Sequence, residues 1–315
     1  MSAAEYDDGQ LDAEFDPAFD PTENLGLDAP AGVAPPPSFH PGLTAAAGIS
    51  AGPDTLVTLD IDGTLLGHDG ALSEAVRDAV AALRASGTHV VLATGRGTPA
   101  VLPVARELGL DLGWAVCSNG AVTIRLDPAL EGGYEFVDVV TFDPAPAVSL
   151  LLAEAPDVLV AVEDLGRGFK VNRPFPVGEL GDPVEVVTLE ELLAEPVARV
   201  TLRAPGRSSQ EFVDLVGRAG MRGVTYAVGW TAWLDITPDG VSKASALERI
   251  RERVGVESSR TLAAGDGQND REMLGWAALG VAMGNADDGT IACADAVTGR
   301  VEHDGVVPVL RSVLG

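Results

Sequence analysis

The sequence predicts an α/β protein: a parallel-sheet core interrupted by an inserted α+β cap and preceded by a disordered acidic tail. Two observations carry that expectation. From residue 55, short β-branched runs alternate with amphipathic helical stretches, the pattern of a parallel sheet covered by helices on both faces. Near Leu126 this texture gives way to strand-rich sequence with two helices, and it returns after Trp230. The expected layout is therefore a tail over 1–53, core over 54–125, cap over 126–230 and core again over 231–315.

Each element follows from local pattern. Residues 1–53 hold nine Asp/Glu and no Lys or Arg, and the first basic residue is Arg77. Rich in proline and without a clean period, that stretch reads as a solvated tail. The rival reading is a docking segment for a protein partner, anchored by Phe15 and Phe19. The run "TLVTLD" (55–60) is a buried strand. Helix 73–87 follows, with Ser73 as N-cap, Val76, Val80 and Leu83 on one face, and Gly87 past its end. Strand "THVVLAT" leads to helix "TPAVLPVARELG", with Thr98 as N-cap and Pro99 at N1. Strand "WAVCS" runs into Asn119-Gly120, a hairpin signal before "AVTIRL".

In the cap, strands are expected at "YEFVDVVTF", "VLVAVED", "VARVTLRA" and "VTYAVGW". Helices are expected at "TLEELLAE" and "SSQEFVDLVGRAG" (208–220). The core resumes with helix "SKASALERIRERVG", strand "RTLAAGD", helix "NDREMLGWA", strand "GVAMG" and the closing helix "GVVPVLRSVLG".

Composition removes several function classes. A formal net charge of −26 repels nucleic acid and anionic membranes alike. It does not repel a phosphorylated small molecule, because a metal or a few donors reverse the local potential. The two cysteines, Cys117 and Cys293, form no CxxC pair and read as small core residues in a reducing compartment. The N-terminus has no basic n-region or apolar h-region, and no run approaches a membrane span, so a cytoplasmic location is expected.

In open α/β sheets, ligands bind beyond the carboxyl ends of the strands. Four clusters fall there: Asp60 and Asp62, then Thr94-Gly95-Arg96, then Lys243 at a helix start, then "GDGQND" (265–270). Two carboxylates so close repel one another unless a cation or a proton offsets the charge. Phosphoryl transfer uses such a set, because its transition state spreads negative charge over several oxygens. Asp60 suits a nucleophile. Mg²⁺ held by Asp60, Asp266, a backbone carbonyl and waters would let that carboxylate approach a phosphate. Lys243 would neutralise the remaining charge, Thr94 would donate to phosphoryl oxygens, and Asp62 would serve as general acid and base. Taken singly, each is an ordinary turn, cap or surface residue. Their order at successive strand ends is what favours the catalytic reading.

At these motifs the chain resembles the haloacid dehalogenase superfamily, within it the Cof-like, type IIB hydrolases. "DIDGTLL", "LATGR", "DGVSKASAL" and "GDGQND" are similar to the four motifs of that superfamily, and "SNGA" and "VAMGNA" resemble the branch. The likeness spans about 55 to 315, and the inserted region lies where type IIB members carry their cap. The resemblance implies a Rossmann-like core and a Mg²⁺-dependent phosphatase working through an aspartyl-phosphate, with a small phosphorylated metabolite, a sugar phosphate foremost, as substrate. It puts Asp60 at the nucleophile, and Asp62 at the acid/base, whose carbonyl ligates the metal. Thr94 and Lys243 fall on phosphate-binding positions, Asp266 on the main metal carboxylate, and Asn269 and Asp270 on the outer metal site.

Gly95 and Arg96 join the substrate-binding set, with a structural ion pair as the alternative for Arg96. Asn119 is a ligand contact or a hairpin-turn residue. Arg167, Lys170 and Arg173 form a basic cluster in the cap, read either as anion-binding or as a solvated face. The rival functions are a phosphohexomutase of the same superfamily and a non-catalytic binding protein that keeps the fold.

Overall fold

A computed structural model describes residues 35–67, 70–181, 183–208, 211, 214–215, 224–228 and 233–315. The acidic part of the expected tail with Phe15 and Phe19, and most of the helix expected over 208–220, lie outside the described residues.

The first strands are β1 (Leu56–Leu59), β2 (His89–Ala93), β3 (Gly113–Cys117), β4 (Val122–Leu126) and β5 (Tyr134–Val139). Next come β6 (Leu159–Asp164), β7 (Gly168–Val171), β8 (Val184–Val186), β9 (Val200–Arg203), β10 (Val224–Val228) and β11 (Trp233–Pro238). Last are β12 (Thr261–Gly265), β13 (Leu279–Ala282) and β14 (Ala296–Val297). They form an eight-stranded sheet in the order β14-β13-β12-β1-β2-β3-β4-β5 and a six-stranded sheet in the order β10-β11-β9-β6-β7-β8. The large sheet is parallel from β14 to β3, and β4 and β5 extend it antiparallel.

Both faces of the large sheet are covered, as continuous apolar strands require. Strand residues alternate between the faces, so Val57, Leu59 and Leu92 share a core with Val76, Val80 and Leu83 of the first long helix and with Val309 and Leu310 of the last. Leu56, Val91, Ala93 and Ala263 face Leu247, Ile250, Met273 and Leu274 on the other side. In the small sheet one face is apolar: Val160, Val162, Val200, Leu202, Leu234 and Ile236 pack with Val148 and Leu151.

The α-helices whose bounds are described are α1 (Gly42–Ala46), α2 (Glu74–Ala85), α3 (Thr98–Glu107), α4 (Ala145–Glu154), α5 (Leu189–Leu192), α6 (Lys243–Val254), α7 (Arg271–Trp276), α8 (Asp288–Ile291) and α9 (Val306–Leu314). Ser73 caps α2 by accepting the Val76 N–H. The N-cap of α3 is Gly97 rather than Thr98, which sits at the first helical position.

Four further expectations are corrected. The strand at 134–139, expected in the cap, pairs with β4 as the edge of the large sheet. Conversely, β11, expected in the returning core, pairs with β9 and β10 in the small sheet. Both pair antiparallel, β5 at an edge and β11 between two strands, and nothing in their local pattern says which sheet accepts them. Residues 35–53, expected in the tail, pack on the core: Ser38 bridges Val297, the Ala51 N–H donates to Val313 O at 2.8 Å, and Ile49 is buried. They carry no Asp, Glu, Lys or Arg to mark them as structured, and Arg260 fastens them through the carbonyls of Gly48 and Ser50. Of the two cysteines, Cys117 is buried but Cys293 is exposed. No described helix is long and apolar enough to cross a membrane.

Because Ile49 belongs to the main core, Ile49→Ala is expected to lower unfolding stability by about 2–5 kcal/mol. Urea titration checks this; a loss below about 0.5 kcal/mol, the size of an ordinary surface substitution, would show that the segment is not part of the cooperative fold.

Candidate active site

The carboxyl end of the large sheet gathers the residues singled out above. Asp60 continues β1, its N–H bonded to Ala264 O at 3.0 Å. Lys243 opens α6, whose start is fixed by a reciprocal cap between Ser242 and Ser245. The Lys243 side chain is buried and Nζ donates to Asp60 Oδ1 and to Asp270 Oδ1, each at 2.7 Å. Asp270 uses its other oxygen to accept the N–H groups of Asp266 and Gly267 at 3.0 and 2.8 Å. The loop after β12 is thereby wrapped around one carboxylate.

Asp266 sits beside this pair and accepts from Asn285 Nδ2 at 3.0 Å and Thr64 Oγ1 at 3.4 Å. Asn285 also donates to Gly63 O at 2.9 Å. Gly63 has φ +78°, and a Cβ there would stand 2.1 Å from Asp266 Oδ2, so only glycine lets the first loop approach so closely.

Electrostatics follow from this crowding. Asp60, Asp266 and Asp270 each present an oxygen, all within 4.8 Å of one another, against the single Lys243 ammonium. Burial first, then the Asp270 charge, push the Asp60 carboxyl up to about 7, although Lys243 pulls the other way. Burial, then Asp60 and Asp270, push Asp266 up to about 8. A buried, all-oxygen set with excess negative charge fits a hard divalent cation such as Mg²⁺.

The remaining expected residues surround this centre. Asp62 is exposed and its carboxylate is held by Arg96 through two bonds of 2.8 and 2.5 Å. Thr94 is buried, and its hydroxyl accepts the Arg96 N–H at 3.1 Å. Gly95 lies against Asn119: a Cβ there would be 3.1 Å from Asn119 Oδ1. Asn119 adopts φ +54°, and its Oδ1 accepts from Asn269 Nδ2 at 2.9 Å, so these two amides link the β3 turn to the acidic loop.

Two residues of the expected basic cluster are placed elsewhere. Arg173 donates to the carbonyls of Asp157 and Val158, and Lys170 shares its sheet face with Val162, away from Phe169. The sequence analysis assigns no role to Asn285, Thr64 and Ser118, although each lies in a motif quoted there, and it does not single out Glu163 and Arg199. Asn285 was findable, because it follows β13 at the same sheet end. Glu163 and Arg199 had no such signal.

This arrangement has counterparts. The profile of the haloacid dehalogenase-like hydrolase family matches residues 57–131 and 184–310. A phosphoglycolate phosphatase from Natronomonas pharaonis is 31% identical over 256 residues, covering 81% of this chain and 95% of its own. The phosphatase YitU of Bacillus subtilis, named for 5-amino-6-(5-phospho-D-ribitylamino)uracil, is 30% identical over 269 residues, covering 81% and 96%. Among solved structures, a subclass IIB sugar phosphatase superposes with a TM-score of 0.69 at 23% identity, over 82% of this chain and 98% of that one. The chain belongs to the haloacid dehalogenase-like hydrolases. It is a phosphomonoester hydrolase of the Cof-like group, and the superposed subclass IIB enzyme shares its fold.

Removing the one cation of the cluster leaves buried carboxylates uncompensated, so Lys243→Ala is expected to cost about 3–5 kcal/mol, measured by chemical denaturation. The raised carboxyls give a second expectation. Asp60 and Asp266 hold their protons more tightly folded than unfolded. Their contribution to stability is full below about pH 4 and is lost as pH rises through about 7 to 8. Melting in chelator should therefore fall between about pH 5 and pH 8. Mg²⁺ should restore more at the upper end, where it meets ionised ligands. A chelated protein whose melting temperature is flat across that window would contradict the shifts.

Proposed function

We propose that this phosphatase hydrolyses small phosphorylated metabolites in the cytoplasm, sugar phosphates foremost, with Asp60 as nucleophile and Mg²⁺ as cofactor. The observation that carries the reading is the Asp60 carboxylate, buried beside Asp266 and Asp270 and held by Lys243 at 2.7 Å. A structural role alone does not call for three buried carboxylates around one ammonium, since breaking even with apolar packing is hard for such a cluster.

The chemistry then runs on this chain's own groups. An Asp60 oxygen forms a bond to phosphorus as the bond to the leaving oxygen breaks, and Asp62 supplies the proton that the leaving alkoxide takes. Water next attacks the aspartyl-phosphate: a new P–O bond forms, the Asp60–phosphorus bond breaks, and Asp62 takes the water proton. Arg96 holds the Asp62 carboxylate at the rim until the substrate arrives. Lys243, the Thr94 hydroxyl and Asn119 hold phosphoryl oxygens in place. Mg²⁺, bound by Asp60 and Asp266 with the Asp62 carbonyl and with Asn269 and Asp270 outside them, would lower the repulsion between carboxylate and phosphate. Gly95 leaves the space that the phosphoryl group needs, and the small sheet excludes bulk water from the reacting centre.

Phosphate release from a panel of phosphorylated metabolites tests this, with Mg²⁺, with chelator and with Asp60→Asn. Turnover should require the metal and fall at least about a thousandfold in the variant. Interconversion of hexose phosphates without release would identify a mutase instead. No turnover of either kind by folded, metal-loaded protein would leave the binding-protein reading.

A further inference from the structure

The loop after β2 presents three successive carbonyls, and all three are engaged. The Asn119 N–H donates to Thr94 O at 3.0 Å and the Ser118 N–H to Arg96 O at 2.9 Å. The middle carbonyl, that of Gly95, accepts from Arg199 Nη1. The first two donors come from the large sheet's own turn, but Arg199 precedes β9 and belongs to the small sheet.

Arg199 is built into that place. Its guanidinium lies 3.3 Å from Glu163 Oε2 and 3.8 Å from Asp235 Oδ2, and 5.2 Å over the Phe169 ring. Glu163, on β6, also accepts from the Ser118 hydroxyl at 2.5 Å. Both side chains are buried, and Glu163 Oε1 has no hydrogen-bond partner. At Gly97 the core makes room, since a Cβ there would stand 2.7 Å from that oxygen. Ser118 and Asn119 are both non-glycine residues at positive φ, 51° and 54°. One is held by Glu163 of the small sheet and the other by Asn269 of the acidic loop.

A buried ion pair with an unmet oxygen is poor glue, because apolar packing would join two sheets at lower cost. What the pair does supply is direction: one donor on the Gly95 carbonyl and one acceptor on the Ser118 hydroxyl. Those two points flank the backbone that carries Thr94 and Asn119.

We propose that Glu163 and Arg199 are positioning residues that make the phosphoryl-binding geometry at Thr94 and Asn119 depend on the docked small sheet. Arg199 fixes the loop from one side and Glu163 fixes the strained turn from the other. Seated, the small sheet completes the phosphoryl site; displaced, it releases both grips together. This rests on the phosphatase reading given above.

The test uses the full chain with Mg²⁺ and the variants Arg199→Met, Ser118→Ala and Arg199→Met/Ser118→Ala. Each single change is expected to lower kcat about tenfold while KM for the best substrate stays within about twofold. Inhibition by orthovanadate, which adopts the five-coordinate geometry of the transferring phosphoryl group, should weaken by a factor similar to the loss in kcat. Amide hydrogen exchange at Ser118 and Asn119 should speed up in both variants. The double variant should lose less than the product of the single losses, because both act on one backbone segment.

Unchanged kcat, vanadate inhibition and exchange in folded variants would overturn the proposal. So would a loss seen only as raised KM, which would mark Arg199 as a leaving-group contact. If Arg199→Met fails to fold, Ser118→Ala removes one hydroxyl and carries the test alone. Should the wild type release no phosphate from any compound, the functional reading fails, while the exchange rates still decide whether the small sheet grips this loop.

Discussion

The ammonium of Lys243 is the point from which the rest of the site is organised. It is one of only two lysines in the chain, and it is almost fully buried. Burial works against its charge, yet Asp270 and Asp60 together hold its pKa above the ordinary lysine value. A compact ammonium suits this position, because it reaches two carboxylates at 2.7 Å from within a space that a planar guanidinium would not share. Around it, the end of β1, the start of α6 and the loop after β12 are tied into one unit.

The tightness of that unit dictates several otherwise unrelated residues. Gly120 is needed because a Cβ would fall 2.1 Å from Ser242 O, the residue that caps α6 just before Lys243. Gly265 is needed because a Cβ would meet Asp270 Cγ at 2.5 Å. Asp270 in turn shapes its loop by accepting two backbone N–H groups, which turns Asp266 toward Asp60. The Cys117 thiol, pushed up to about 12 by burial and then by Glu163, is kept out of the chemistry.

The small sheet obeys simpler rules. Its strands alternate, so Val160, Val162, Val200 and Leu202 go under the covering helices while Glu163, Arg199, Thr201 and Asp235 share the other face. There Asp235 accepts from Thr201 Oγ1 at 2.7 Å and from Trp233 Nε1 at 3.3 Å, and Arg199 reaches across to the large sheet. The polar half of an ordinary amphipathic sheet thus becomes the surface that meets the loop after β2.

Much of this was legible in one dimension, for a physical reason. A parallel strand buried on both faces and an amphipathic helix each leave a local pattern, so the α/β core, helix α2 with Ser73 and Val76, the strand-end positions of Asp60, Thr94 and Asp266, and Lys243 at a helix start could be read from the sequence. What the sequence determined was therefore which residues stand at the sheet's carboxyl end and what chemistry that set favours. Tertiary structure decided the rest. It alone placed β5 on the large sheet and β11 on the small one, packed residues 35–53 on the core, and paired Asp62 with Arg96. It alone brought Glu163 against Ser118 and Arg199 against Gly95, contacts 45 and 104 residues apart in the chain. Edge pairing and buried ion pairs depend on partners far away along the chain, and a local window contains only one member of each.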